Sequence, residues 1–186
     1  LVVVPYYNKP NQQGLYAHFK TVAEAIDLPM MLYNVPSRTG GNMAAKTSIA
    51  LSKISSIVAL KEASGDIDQI TKVIAGCDKD FLVYSGDDAF TLPILCAGGY
   101  GVVSVASQVA GAKIKEMIDA YILGDTGKAA KIHQALNPLY NALFMTTNPI
   151  PVKAALNIMG IDVGGLRLPL VEADENVPVG ELAPND

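Results

Sequence analysis

Cysteine and histidine are scarce in this sequence, and clusters of basic charge are missing from it. The two cysteines, Cys77 and Cys96, lie too far apart for a CxxC pair and are too few for a disulfide framework. They are expected to be reduced residues of a cytoplasmic protein. The two histidines, His18 and His133, both sit among helix-forming residues and give no metal-ligand spacing, so neither metal nor cofactor is expected. A formal charge of −4 without a basic patch argues against nucleic acid or an anionic membrane as partner. No apolar run approaches the roughly 20 residues that a membrane span needs. No charged segment followed by an apolar one opens the chain either. An initiator methionine is also missing. The chain opens on Leu1-Val2-Val3-Val4-Pro5-Tyr6-Tyr7, which reads as the middle of a buried strand and predicts a piece of a longer protein. What is present is ordinary for a globular chain: half of the 186 residues are apolar, enough for a substantial core.

The apolar pattern predicts five strands, each followed by a helix. After the first strand, Asn8 to Asn11 reads as a turn, and Gly14 to Ile26 has helical spacing in Leu15, Phe19, Val22, Ala23 and Ile26. Leu28 to Tyr33 is a second strand, ended by the turn-rich loop Asn34 to Gly41. A helix over 44–54, a strand over 57–61 and a helix over 67–74 capped by Asp66 follow. Phe81 to Ser85 is the fourth strand, with Asp87 or Asp88 capping a helix to Cys96, and Val102 to Val105 is the fifth. Helices are predicted over about 108–122, 126–145 and 150–159, before a polar tail. Alternating units with strands apolar on both faces mean a parallel α/β sheet. Tyr7, Tyr33, Lys61, Gly86 and Ser104 fall at or just past successive strand ends, the place where a (β/α)8 TIM barrel builds its site. No GxGxxG follows a strand, as a dinucleotide-binding open sheet would require. The expectation is therefore a barrel whose first three βα units would precede Leu1. Residues 1–124 would form strands 4 to 8, and residues 125–186 a C-terminal helical extension.

The most unusual residue is Lys61. It ends the nearly uncharged run Ser56-Ile57-Val58-Ala59-Leu60, just before Ser64-Gly65-Asp66. An ammonium at the end of a buried strand must be solvated, paired or deprotonated. A desolvated lysine becomes a neutral amine able to attack a carbonyl. By strand alternation Ile57, Ala59, Lys61 and Ala63 share one face, and Val58, Leu60 and Glu62 the other. Taken alone, the ordinary reading is a solvated strand end. Tyr33 ends the preceding strand, where a phenol could shuttle protons or merely pack. Arg38, on the loop beyond it, could hold a carboxylate bidentately or stay solvated. Gly98-Gly99-Tyr100-Gly101 precedes a strand and reads as an αβ turn, since a phosphate cradle joins a strand to a helix. Asp87 and Asp88 read as caps, and Gly86 as a close approach or a sharp turn.

Five ordered motifs, VPYYNKP at 4–10, YNVPSRTG at 33–40, ALKEASGD at 59–66, YSGDD at 84–88 and GVVSV at 101–105, resemble those of the dihydrodipicolinate synthase family, Schiff-base class I aldolases. NPIPVKAAL at 148–156 and LRLPL at 166–170 extend the resemblance over nearly the whole chain. Related N-acetylneuraminate lyases share the tyrosine and lysine motifs and typically lack an arginine at the position of Arg38. The resemblance implies that Lys61 forms an imine with pyruvate and that its enamine attacks aspartate semialdehyde, in lysine and diaminopimelate biosynthesis. It implies Tyr33 as proton donor and acceptor, and Arg38 as ligand of the semialdehyde carboxylate. Gly86 and Val103 would line the pyruvate pocket through their backbones. Tyr7 would reach across a dimer interface to join a proton relay through an upstream threonine motif that this sequence does not contain. It implies a homo-oligomer, a dimer of dimers. Two alternatives stay open: another pyruvate aldolase acting on sugar acids, and a non-catalytic chain. The 186 residues alone are expected to associate and not to catalyse condensation.

Overall fold

Proline at position 5 sets the limit of the first strand, because it has no amide hydrogen to give to a sheet ladder. The structure, a computed structural model, describes residues 1–173. In it β1 is only Val2–Val3. The Val4 amide still donates to the Tyr33 carbonyl at 2.9 Å, after which the chain leaves the sheet. Tyr7 adopts a φ of 67°. The strand predicted to run to Tyr7 is thus shortened at its C-terminal side.

Asn11 then starts α1 (Gln12–Ala25), its side chain accepting from the Gly14 amide at 2.9 Å. The helix buries Leu15, Phe19 and Ala23, as its spacing predicts. β2 (Met30–Asn34) follows. The segment predicted as pure loop contains one helical turn, α2 (Pro36–Thr39). Proline at its first position is pre-set in φ, and Gly40 closes it at φ 71° with its amide on the Pro36 carbonyl. Next come α3 (Ala45–Leu51), β3 (Ile57–Glu62) and α4 (Ile67–Gly76). Asp66 caps α4 by accepting from the Gln69 amide at 3.0 Å, as expected. β4 (Leu82–Ser85) leads into a 3-10 turn, Asp88–Phe90, capped by Asp87, and then α5 (Thr91–Cys96). β5 is Gly101–Val102.

All strand pairs are parallel, in the order β1-β2-β3-β4-β5. Each strand lies beside its neighbour in sequence, and the order does not reverse as a doubly wound sheet does at its switch point. This is the wall of a (β/α)8 barrel, of which the described residues carry five strands. Leu15, Phe19, Leu32, Leu60, Ile70 and Ile94 belong to one buried apolar cluster that joins the sheet to its helices. One predicted facing fails. Met30 pairs with Ile57 and Met31 with Ala59, so Val58 is an extra residue in the ladder. The irregularity breaks the two-residue alternation, and Ile57 is buried in the same cluster as Leu60.

Leu1–Val103 form one compact unit, and a second begins at Ser104. The second contains α6 (Ser107–Ile122), α7 (Thr126–Leu143) and α8 (Ile150–Ile158). Ser104 accepts from the Ser107 amide at the start of α6. Asp125 caps α7. Lys128 and Glu116 pair α7 with α6 at 2.9 Å. Among the described residues no helix is long and apolar enough to cross a membrane.

Candidate active site

Parallel pairing places residues in register side by side with their side chains on one face of the sheet. Tyr33 is opposite Lys61 across β2 and β3, and Lys61 is opposite Tyr84 across β3 and β4. The ladder continues past the strand ends, which holds the rim firmly. The Ala63 amide donates to Asn34 at 2.8 Å, the Gly86 amide to Glu62 at 2.7 Å and the Val103 amide to Ser85 at 2.8 Å. Tyr33, Lys61 and Gly86, three of the residues expected at strand ends, therefore come from successive strand ends on one rim, with Val103 just past the end of β5.

Lys61 is half-buried, and its Nζ lies 4.1 Å from the centroid of the Tyr33 ring. A ring face attracts an ammonium by about 0.5–2 kcal/mol, depending on exposure. Opposing it, burial pushes the Lys61 pKa below that of an ordinary lysine. The Asp88 charge acts to raise that pKa again and the Arg38 charge to lower it further, with burial the largest influence. Tyr33 is pushed the other way. Its burial raises the phenol above its usual value, while Arg38 lowers and Asp87 raises it. At neutral pH the pair thus combines an amine easier to deprotonate than usual with a phenol that keeps its proton. That is the pairing an imine-forming centre needs: a nucleophile and a proton donor.

Gly86 earns its place sterically. A Cβ there would stand 2.9 Å from Ala63 Cβ, 3.0 Å from Lys61 Cε and 3.1 Å from Lys61 Cγ. The missing side chain is space that the lysine stem occupies. Arg38 is exposed in the last turn of α2, held by its amide on the Val35 carbonyl at 3.0 Å. Its charge acts on both Tyr33 and Lys61. Tyr7 is not part of this group within the chain: its side chain is 91% exposed. Gly98 to Gly101 form the predicted αβ turn, with the Gly98 and Gly99 amides on the carbonyls of Leu95 and Ile94. Among the described residues no group of three or more histidine, cysteine, aspartate or glutamate side chains is placed to hold a metal.

Sequence reasoning missed what lies behind the rim. Asn34 and Glu62, the residues after Tyr33 and Lys61, are both fully buried and joined by hydrogen bonds of 3.1 Å. The signal was available in the alternation that turns Glu62 away from Lys61, because a carboxylate turned into a helix-covered face must find donors. Asp88, read as an alternative cap, is also buried, and its charge reaches Lys61.

Known proteins similar to this chain are numerous. A 4-hydroxy-tetrahydrodipicolinate synthase of Dehalococcoides mccartyi is 58% identical over 175 residues, covering 94% of this chain and 59% of the relative. One of Thermosynechococcus vestitus is 56% identical over 178 residues, covering 95% and 60%. The chain thus spans about 60% of the length of these curated relatives. Among solved structures, the lysine-bound dihydrodipicolinate synthase of Cyanidioschyzon merolae superposes with a TM-score of 0.94 at 51% identity, covering 97% of this chain and 62% of that one. The enzyme of Thermotoga maritima gives 0.93 at 47% identity, covering 97% and 63%. Residues 1–178 match the model of the dihydrodipicolinate synthetase family, and the chain belongs to that family.

Proposed function

We propose that this chain supplies the imine-forming centre of a lyase that condenses pyruvate with L-aspartate 4-semialdehyde to 4-hydroxy-tetrahydrodipicolinate, in the route to lysine and diaminopimelate. The observation that carries the reading is the half-buried Lys61 amine, 4.1 Å from the Tyr33 ring and packed against Gly86. The neutral amine adds to the C2 carbonyl of pyruvate, and the carbinolamine loses water with Tyr33 supplying the proton that the departing hydroxyl needs. Loss of a proton from C3 of the imine gives the enamine, whose carbon bonds to the aldehyde carbon of the semialdehyde. The amino group of the second substrate then adds to the imine carbon, the ring closes, and Lys61 leaves as the free amine.

Arg38 suits the carboxylate of the second substrate, because a guanidinium on an exposed turn presents a planar pair of donors. The backbones of Gly86 and Val103 line the pyruvate pocket, and the exposed Tyr7 serves a second copy of the chain in a cytoplasmic homo-oligomer, a dimer of dimers. The expected division puts residues 1–124 in the barrel wall and a helical region after them, of which residues 174–186 lie outside the described residues. The family resemblance and the relatives' shared name support this substrate pair over sugar acids. The test is turnover with pyruvate and either aspartate semialdehyde or a sugar aldehyde. In the lyase that contains this centre, condensation with the semialdehyde is expected, and preference for the sugar aldehyde would move the chain to another aldolase activity.

A further inference from the structure

The side chains behind the rim form one connected polar network in a place where apolar packing would serve stability at least as well. Asn34 and Glu62 are register partners on β2 and β3, one residue past Tyr33 and Lys61. They point to the opposite face of the sheet, and both are 0% exposed. Burying a carboxylate is costly, and a well-packed apolar pair is often as stable or more so. Here the carboxylate is met by neutral donors. The Ser64 amide donates to Glu62 Oε1 at 2.7 Å, Asn34 Nδ2 donates to both oxygens at 3.1 Å, and Gln69 Nε2 approaches Oε2 at 3.5 Å. Burial still pushes the Glu62 carboxyl above the usual carboxylate range, against the pull of those hydrogen bonds.

The same donors reach further. Asn34 Oδ1 accepts from the Met43 amide at 3.0 Å, and Asn34 Nδ2 also donates to Asn42 Oδ1 at 2.8 Å. Gln69, in the first turn of α4, exchanges hydrogen bonds with Asn42 and donates to the Met43 carbonyl at 3.3 Å. One carboxylate is therefore the hub that ties the end of β2, the end of β3, the start of α4 and the segment that follows the Arg38 turn.

We propose that Glu62 is a positioning residue: through Asn34, the Ser64 amide and Gln69 it clamps the two strand ends so that Lys61 Nζ stays seated against Tyr33, and it anchors the Asn42–Met43 segment beyond Arg38. Glu62 touches no substrate, and the inference rests on the imine reading of Lys61. Replacing the carboxylate with an amide sets a donor against donors, which loosens the clamp without changing side-chain volume. Misplacing a reacting group by about 1 Å lowers rates by about 10²-fold.

The test compares wild type with Glu62→Gln in purified protein, trapping the pyruvate imine with borohydride at saturating pyruvate and counting only cooperatively folded protein. Glu62→Gln is expected to lose about 10- to 10²-fold in imine formation with little change in the pyruvate concentration that gives half-maximal rate. The pH midpoint of the imine rate is the second readout. Displaced from its seat, Lys61 loses the burial that lowers its pKa, with Asp88 and Arg38 the other charges acting on it, and the midpoint moves up toward 10.5. A merely structural role would leave both unchanged per folded molecule. Folded Glu62→Gln with the wild-type rate and midpoint overturns the proposal. If that variant does not fold, Gln69→Met, which removes the outer link and keeps the volume, decides the matter: a slower imine supports the clamp, and the wild-type rate overturns it. A wild type that forms no imine on Lys61 refutes the underlying reading itself, and the clamp's role with it.

Discussion

Gly86→Ala is the substitution whose effect can be worked most directly from the geometry. The backbone of Gly86 lies outside the left-handed region, so alanine is permitted there by the chain itself and any effect comes from the added methyl. That methyl would meet Ala63 Cβ at 2.9 Å, Lys61 Cε at 3.0 Å and Lys61 Cγ at 3.1 Å, all inside ordinary contact. Lys61 Cε can swing aside at little cost. Ala63 Cβ and Lys61 Cγ sit close to the backbone and move only if a strand end shifts. Overpacking of this kind costs about 1–3 kcal/mol, or roughly 2–12 °C in melting temperature for a chain of this size. The larger effect falls on chemistry, because the easy escape displaces the amine. Lys61 Nζ leaves the Tyr33 ring, and imine formation should slow by about 10²-fold. The assay is borohydride trapping of pyruvate by stopped time points, with a melting curve on the same sample. A Gly86→Ala protein that melts and traps like wild type would show that the lysine stem does not depend on that space.

Further outcomes follow at three residues of the same site. Tyr33→Phe should keep the fold, since the ring that packs against Lys61 is retained, while steady-state turnover falls by about 10²-fold or more through loss of the proton donor; an unchanged turnover would remove Tyr33 from the chemistry. Arg38→Ala should raise KM for the semialdehyde far more than for pyruvate, by the roughly 1.5–3 kcal/mol of a charge-assisted hydrogen bond. It should also shift the pH profile of imine formation upward, because removing a positive charge that lowers the Lys61 pKa makes the amine harder to deprotonate; a downward shift would contradict the electrostatics. In the folded protein, Lys61 should gain from rising pH. Its lowered pKa means that the unfolded chain binds the extra proton between the folded value and 10.5, so its contribution to stability increases with pH across that window, as a denaturation series against Lys61→Met would measure.

Much of this was legible in the sequence where local rules act alone. The alternation of apolar strands with helical spacing located all five strands and the helices that follow them, because each period is set within its own run of sequence and needs no distant information. Asp66 marks a helix start by the chemistry of a single side chain, whereas Asn11, read as part of a turn, caps a helix that begins at Gln12, before the predicted Gly14. What was not legible depends on neighbours. The one-turn helix at Pro36–Thr39 hides in a string of turn formers that is too short to show a period. The facing of Ile57 turns on an extra residue in a ladder with β2, which strand alternation within one sequence run cannot register. Lys61, Tyr33 and Arg38 were found as individual residues, yet the network behind them was not, because Asn34, Asn42, Glu62 and Gln69 meet across separations that only the fold closes.

In the proposed reaction the amine of Lys61 attacks pyruvate. Incubating the protein with pyruvate and borohydride, then mapping the reduced three-carbon adduct by peptide mass spectrometry, tests it most directly. A single modified lysine, Lys61, is expected, with no adduct in Lys61→Arg, whose guanidinium stays protonated. An adduct on another lysine, or none on the wild-type chain, would contradict it.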